Sequence, residues 1–163
     1  MAFCGNRCFP FGPDHALVAI LTSGGGMEAY SLSIIGVLAL CLLSFLLAMN
    51  SGISKGRAGA LAGPVLDARD DNKLYRIDRA HMNSVEALAP FAVPAVLAML
   101  AGVSSGVLAV LVWLHVAIRL GHTVVYLRGG KAAKGGKLRT ILYVSSGLVT
   151  LILILLTAWS AAT

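Results

Sequence analysis

Long stretches without a charged residue constrain the fold of this chain more than any other feature. Residues 29–54 and 140–163 carry no charge, and most of each stretch is apolar. Roughly 20 consecutive apolar residues cross the hydrocarbon core of a bilayer as a helix. The sequence therefore predicts one membrane-spanning helix over about residues 29–50 and another over about residues 138–160.

A third uncharged stretch lies between Glu86 and Arg119. Its 32 residues are too many for one spanning helix and too few for two. The sequence Gly-Val-Ser-Ser-Gly at residues 102–106 marks a turn near its centre. Both helices must therefore extend beyond the charged residues, which predicts spans at about residues 79–101 and 106–127. Polar side chains are thereby carried into the membrane or its interface.

Composition agrees with a bundle in a bilayer. The 163 residues are 58% hydrophobic and 12% charged, whereas soluble domains are about 25% charged. We therefore predict an all-α membrane protein, with one four-helix domain over residues 28–163. The pI is 9.6, but all basic residues except Arg7 and Arg119 lie in two short segments between the apolar stretches, so nucleic acid is not an expected partner. Three cysteines, Cys4, Cys8 and Cys41, form neither a disulfide framework nor a metal site that the spacing supports.

Residues 1–27 differ in character from the rest of the chain. They contain two prolines, a run of three glycines at 24–26 and one short apolar run at 16–21. That run is shorter than the 7–15 residues of a signal-peptide core. We expect a loose N-terminal extension, or a start codon assigned too early, with Met27 as the true start.

The charges of the connecting segments predict an orientation. The segment Lys55–Arg79 holds six basic and four acidic residues, and Arg128–Arg139 holds five basic residues and no acidic one. The positive-inside rule places loops 51–78 and 128–138 in the cytoplasm and both termini outside. A bacterial inner membrane is the expected host, with the endoplasmic reticulum as the alternative. The lysines of the second loop fit a topology signal against anionic lipid: Lys131, Lys134 and Lys137.

The polar residues of the two middle helices recur at helical spacing. Arg79, Asn83 and Glu86 share one face of the second helix. The third helix carries a stripe on one face: His115, Arg119, His122 and Tyr126. Ionisable residues at membrane depth are costly, and they normally face a bundle interior or a cavity. Counted from the turn, Glu86 matches the depth of His122 and lies one helical turn from that of Arg119, so we expect it to contact one of them.

The fourth helix begins with Arg139 and Thr140, followed one turn later by Tyr143. The N–H groups and the positive dipole end of a helix start favour a bound anion. A lone Glu–Arg pair in a bundle would be equally well explained as structural. Because three segments contribute polar groups here, we predict a site for an anionic, polar ligand with several charged groups.

These residues occur in three segments that resemble motifs of the MAPEG family, the membrane-associated proteins in eicosanoid and glutathione metabolism. The segments are Arg79-Ala-His-Met-Asn-Ser-Val-Glu86 followed by Pro90-Phe91, Arg119-Leu-Gly-His-Thr-Val-Val-Tyr126-Leu127, and Arg139-Thr140-Ile-Leu-Tyr143. The resemblance extends from about residue 29 to residue 159, and it is greatest to the microsomal prostaglandin E synthase and microsomal glutathione transferase branches. Met82 and Thr140 replace an arginine and a serine of the synthase motif, and prostaglandin synthesis is not predicted.

The resemblance implies a homotrimer that binds glutathione between neighbouring subunits. It implies that Arg139 and Thr140 are the catalytic residues at the glutathione sulfur. The other residues implied for glutathione binding are Arg79, Asn83, Glu86, Arg119, His122, Tyr126, Tyr143 and Lys55, with Arg57 as the alternative to Lys55. A cysteine-type thiol has a pKa of about 8.5, and a guanidinium, a hydroxyl donor and a helix N-terminus all favour its reactive thiolate. The expected function is a glutathione-dependent transferase or peroxidase acting on lipophilic electrophiles.

Two other functions remain open. A non-catalytic lipid-binding or scaffold protein is possible because the family resemblance includes such a branch, although Arg139 and Thr140 argue against it. A small channel or transporter could use the polar stripes as a path, but the sequence shows no helix broken at the midplane, as transporters of that kind have.

Overall fold

The computed structural model describes residues 24–60, 63–65, 67–129 and 136–163. A short helix, Gly24–Glu28, precedes four long helices. The long helices are α1 (Ser31–Arg57), α2 (Lys73–Leu100), α3 (Ser105–Arg128) and α4 (Gly136–Ala162). No strand occurs within these described ranges, and all four long helices are long and apolar enough to cross a membrane. The predicted all-α, four-span architecture is confirmed.

Some of the expected features lie outside the described residues. These are most of the N-terminal extension, with Cys4 and Cys8, and the loop lysines Lys131 and Lys134. Cys41 lies within α1 as a free, exposed thiol.

Two helices are longer than the hydropathy pattern predicts. Helix α1 continues to Arg57 rather than ending near residue 50, and α2 begins at Lys73 rather than near residue 79. Asn72 accounts for the earlier start, because its Oδ1 accepts hydrogen bonds from the backbone N–H groups of Leu74 (3.0 Å) and Tyr75 (3.3 Å). An asparagine at this position satisfies N–H groups that have no partner within the helix.

The turn between α2 and α3 falls where the glycine-rich sequence predicts it. Gly102 has φ = +72°, a left-handed conformation that residues with a side chain rarely adopt. The N–H of Val103 donates back to the carbonyl of Ala98 at 3.0 Å, which closes the end of α2. Tyr30 fixes the same turn from outside, because its hydroxyl donates to the carbonyl of Val103 at 2.7 Å.

One apolar core joins all four long helices. Its most buried members include Leu40 of α1, Phe91 of α2, Val112 of α3 and Leu153 of α4. Large apolar side chains on the outer faces of the helices remain exposed, as with Leu38 and Leu155 at 60% each. A soluble protein rarely exposes so much contiguous apolar surface, so the outer faces match the lipid phase that the composition predicts.

Small residues bring α1 and α3 into close contact. A Cβ atom added at Gly36 would overlap Cγ1 of Val112, so the two helices pack directly at this glycine. One turn away, the indole N–H of Trp113 donates to the carbonyl of Leu32 at 3.2 Å. Ser44 is buried further along α1. Small residues at such contacts are common in membrane bundles.

Candidate functional site

The polar stripe of α3 faces the interior of the bundle. Its four residues are all buried: His115, Arg119, His122 and Tyr126. The stripe of α2 is divided, since Asn83 is buried, Arg79 is half-buried and Glu86 is exposed. Both stripes lie toward the end of the bundle where α1 and α3 finish and α2 and α4 begin, called the basic end below.

Arg119 connects the two stripes, although not through the expected carboxylate. Its Nη2 donates to the backbone carbonyl of Asn83 at 2.5 Å. Among the described residues, neither Arg119 nor His122 forms a direct ion pair or hydrogen bond with Glu86. Glu86 and Arg119 nevertheless line the same cleft.

This cleft opens between α2 and α4 and has a volume of about 430 Å³. Its polar side chains are those of Glu86, Arg119, Tyr143, Ser146 and Thr150, and much of the remaining wall is apolar. Pro90 lies in the wall one turn after Glu86, and because proline has no N–H, the backbone carbonyl of Glu86 lacks its helical partner. Ligand sites in proteins are typically apolar clefts of about 300–1,000 Å³ with a few polar groups.

Three rings and one guanidinium meet beside this α2–α4 cleft. The ring centroid of His122 lies 5.6 Å from that of Tyr126 and 6.3 Å from that of Tyr143. The guanidinium carbon of Arg139 lies 4.8 Å from the centre of the Tyr126 ring, within the range of cation–π attraction. Tyr143 lines the cleft as well, so the start of α4 is continuous with the site around Glu86 and Arg119.

Arg139 has one ionic partner among the described residues. Its Nη1 lies 3.3 Å from Oδ1 of Asp70, a residue of the segment before α2. Arg76 binds the backbone of the same residue, donating from Nη1 to the carbonyl of Asp70 at 2.7 Å. Thr140 follows on the exposed side of α4. Asp70 thus joins the predicted catalytic arginine to the start of α2.

Lys55 lies in different surroundings from those of the other predicted site residues. Its Nζ lies 2.5 Å from Oδ1 of Asp78 and donates to the carbonyl of Gly63 at 2.6 Å. Asp78 also accepts from the Ser51 hydroxyl (3.1 Å) and the Val65 backbone N–H (3.3 Å). Its side chain is only 5% exposed. The Lys55 ammonium therefore joins the end of α1 to α2 and to the segment between them.

The described residues provide no hydrogen bond or ion pair to the side chain of Arg79. Sequence reasoning did not single out Asp70 or Asp78, which partner Arg139 and Lys55. Both are acidic residues in the segment Lys55–Arg79, where six basic residues outnumber four acidic ones. This excess of cations was the sequence feature that could have indicated ion pairs for the two aspartates. Their partners depend on how the helices pack, which spacing along the chain does not give.

Two further features of the described residues bear on function. No group of three or more His, Cys, Asp or Glu side chains lies close enough to hold a metal ion. A second cleft, of about 680 Å³, lies between α2 and α4 toward the opposite end of the bundle and is lined mostly by apolar residues, from Pro94 to Ala101 and from Ile154 to Ala161. The α2–α4 groove thus has a polar part and an apolar part.

Comparison with known protein families identifies the family of this chain. The search of curated proteins finds no match to this chain. The sequence profile of the MAPEG family matches residues 32–159, which include all four long helices except their outermost residues. The match covers well over half of the chain and contains every residue of the site just described, and the chain is therefore a member of the MAPEG family.

Proposed function

We propose that this protein is a membrane-bound glutathione-dependent transferase or peroxidase acting on lipophilic electrophiles. The MAPEG family includes glutathione transferases and related enzymes. The observation that carries the proposal is the setting of Arg139, a cation in the first turn of α4 that lies over Tyr126. Its one ionic partner within the described ranges is the exposed carboxylate of Asp70. An arginine held in this way can exchange Asp70 for an anionic ligand.

The residues present fit glutathione, which carries two carboxylates, an ammonium group and a thiol. In the part of the chain that the structure describes, the buried Nη1 of Arg119 and the buried Nε of Arg76 have no hydrogen-bond partner. Glu86 lines the α2–α4 cleft without an ion-pair partner among the described residues, and it suits an ammonium group. Of these groups, the cation Arg119 and the anion Glu86 both line the α2–α4 cleft, as a zwitterionic ligand requires.

The proposed roles follow from these positions. Arg139 and the hydroxyl of Thr140 stabilise a thiolate at the start of α4, where the helix dipole adds to their effect. Glutathione supplies the nucleophile that attacks an electrophilic carbon or the O–O bond of a peroxide. The proposed binding residues are Arg79, Asn83, Glu86, Arg119, His122, Tyr126 and Tyr143. Any contact of Lys55 with a glutathione carboxylate would have to be shared with Asp78.

The apolar walls of the α2–α4 cleft support a lipophilic second substrate. The cleft opens on the outer surface of the bundle, where exposed apolar side chains face lipid. An electrophile dissolved in the membrane could reach Tyr143 and Arg119 without entering water. We further propose a homotrimer, as the family resemblance implies, in a bacterial inner membrane with the basic end in the cytoplasm.

Glutathione binding and thiolate formation on purified protein in lipid nanodiscs test this proposal. We expect a thiolate at neutral pH that Arg139→Ala abolishes, because at pH 7 an unassisted thiol of pKa near 8.5 is only a few per cent ionised. Lys137→Ala is the matched control, since it removes an exposed positive charge from the same helix start. Absence of glutathione-dependent turnover across several electrophiles and hydroperoxides would contradict the proposal. Absence of binding would favour a lipid-binding or scaffold role.

A further inference from the structure

His115 is buried in the middle of the bundle, and one of its ring nitrogens has no hydrogen-bond partner among the described residues. It is 1% exposed, and its ring stacks on Phe91 with centroids 3.8 Å apart and planes inclined by 12°. Its imidazole lies against the backbone of Ser146, whereas its Nδ1 has no hydrogen-bond partner among the described residues. A buried polar atom without a partner costs about 1–3 kcal/mol, so this nitrogen requires an explanation.

Arg119 lies one helical turn away on the same face of α3, and it has a buried hydrogen-bond donor without a partner among the described residues. It is 3% exposed, and Nη2 is satisfied by the carbonyl of Asn83. Its Nη1 is buried and has no hydrogen-bond partner in the described part of the chain. Guanidinium N–H groups only donate, whereas the unprotonated nitrogen of a neutral imidazole accepts. Two groups of opposite hydrogen-bonding sense are thus unpaired one turn apart.

A small space lies between these two residues and the facing side chains of α1 and α2. It has a volume of about 10 Å³ and is lined by His115, Arg119, Ser84 and four apolar residues, Leu40, Leu43, Ala87 and Leu88. A buried water needs roughly 10–15 Å³ and two to four polar partners. The space therefore holds one water molecule at most, and His115, Arg119 and Ser84 can supply three partners.

We infer that this space is a binding site for a single ordered water, which accepts a hydrogen bond from Arg119 Nη1 and donates one to His115 Nδ1. In this assignment Nε2 carries the ring proton and faces the backbone of Ser146, and Nδ1 accepts from the water. The water fixes the guanidinium of Arg119, which also lines the α2–α4 cleft beside Glu86. His115 is thus a positioning residue that acts on the cleft through Arg119. This consequence, unlike the water itself, rests on the proposed function.

The water is tested on the unmodified protein by solid-state NMR in lipid bilayers. The full chain is labelled with ¹⁵N-histidine, and His115→Phe identifies the His115 signals. Phenylalanine keeps a ring to stack on Phe91 and removes both nitrogens. We expect the Nε2-protonated form of His115, with a magnetisation-transfer signal from water to Nδ1 that Ser84→Ala weakens. A His115 ring without water contact overturns the proposal, whatever the glutathione results are.

The positioning role is tested separately by the dissociation constant of glutathione. We expect His115→Phe to raise it about fivefold, the equivalent of one ordinary hydrogen bond, and His115→Asn to restore part of the loss, because its amide oxygen can accept from the water. Ser33→Ala is the control, since Ser33 Oγ is also buried without a partner but lies apart from this space. A bound water with unchanged glutathione affinity in His115→Phe overturns the positioning role. A bound water in a protein that binds no glutathione leaves the water site standing and rejects the proposed function.

Discussion

Two ion pairs near the basic end differ sharply in exposure. The side chains of Lys55 and Asp78 are 17% and 5% exposed, whereas those of Arg139 and Asp70 are 32% and 58% exposed. Breaking a buried pair leaves an uncompensated charge and typically costs 3–5 kcal/mol, while an exposed pair contributes about 0–1 kcal/mol. Arg139 can therefore exchange its partner for a ligand at little cost, and Lys55 cannot.

If Asp70 pairs with Arg139 in the absence of ligand, removing the charge of Asp70 should favour the binding of glutathione. We predict that Asp70→Asn lowers the dissociation constant of glutathione by up to about fivefold, because the competing pair contributes no more than about 1 kcal/mol. Isothermal titration of the protein in nanodiscs measures this directly. The effect should shrink as the salt concentration rises, since exposed charge pairs are screened.

Asp71→Asn is the matched control for this variant. Asp71 is adjacent, exposed and negatively charged, but its ionic partner is Arg69 rather than Arg139. Equal effects of both substitutions would indicate a general change of surface charge. Weaker glutathione binding in Asp70→Asn alone would show that Asp70 positions Arg139 and does not compete for it.

At the scale of the helices, spacing along the chain predicted α3 better than it predicted α2. The stripe from His115 to Tyr126 is buried throughout, because α3 packs against each of the other three long helices with this face inward. The α2 stripe is divided between core and cleft, since α2 borders the open groove against α4. Pairings such as Lys55 with Asp78 could not be predicted, because they depend on the rotation of α1 against α2.

The contact between α1 and α3 gives a prediction about stability. Gly36→Ala should destabilise the bundle by about 1–3 kcal/mol, the usual effect of forcing extra volume into a packed core. The added Cβ would overlap Val112, which is branched and fully buried and cannot turn aside. Unfolding of the protein by denaturing detergent in mixed micelles, followed by Trp113 fluorescence, measures the change.

Gly52→Ala is the control on the same helix. A Cβ at Gly52 would have no atom within 4 Å, so alanine adds helix propensity of up to about 1 kcal/mol without steric cost. We expect this variant to be as stable as the unsubstituted protein or more stable. Equal destabilisation by both substitutions would mean that backbone effects in α1, and not contact with Val112, dominate.

Over the whole molecule, the polar groups are concentrated at one end of an otherwise apolar bundle. The four spans and the turn at Gly102 follow from the uncharged stretches, because a bilayer tolerates few other arrangements. The convergence of Glu86, Arg119, Tyr143 and Arg139 on one side also follows from the up-and-down topology. The open α2–α4 groove could not be predicted from the topology. Its shape depends on side chains such as Pro90 and Pro94, and a hydropathy pattern does not distinguish these from the other residues of a span.

The orientation of the bundle decides whether the site can meet its proposed ligand. Glutathione is a cytosolic thiol, so the basic end must face the cytoplasm if Arg139 is to bind it. We predict that, in a background without native cysteines, Ala60→Cys reacts with a membrane-impermeant maleimide only in inverted vesicles and Ser104→Cys only in right-side-out vesicles. Both positions are exposed and lie at opposite ends of the bundle. The reverse pattern would place Glu86 and Arg139 away from cytosolic glutathione, and the proposed activity would then lack its nucleophile.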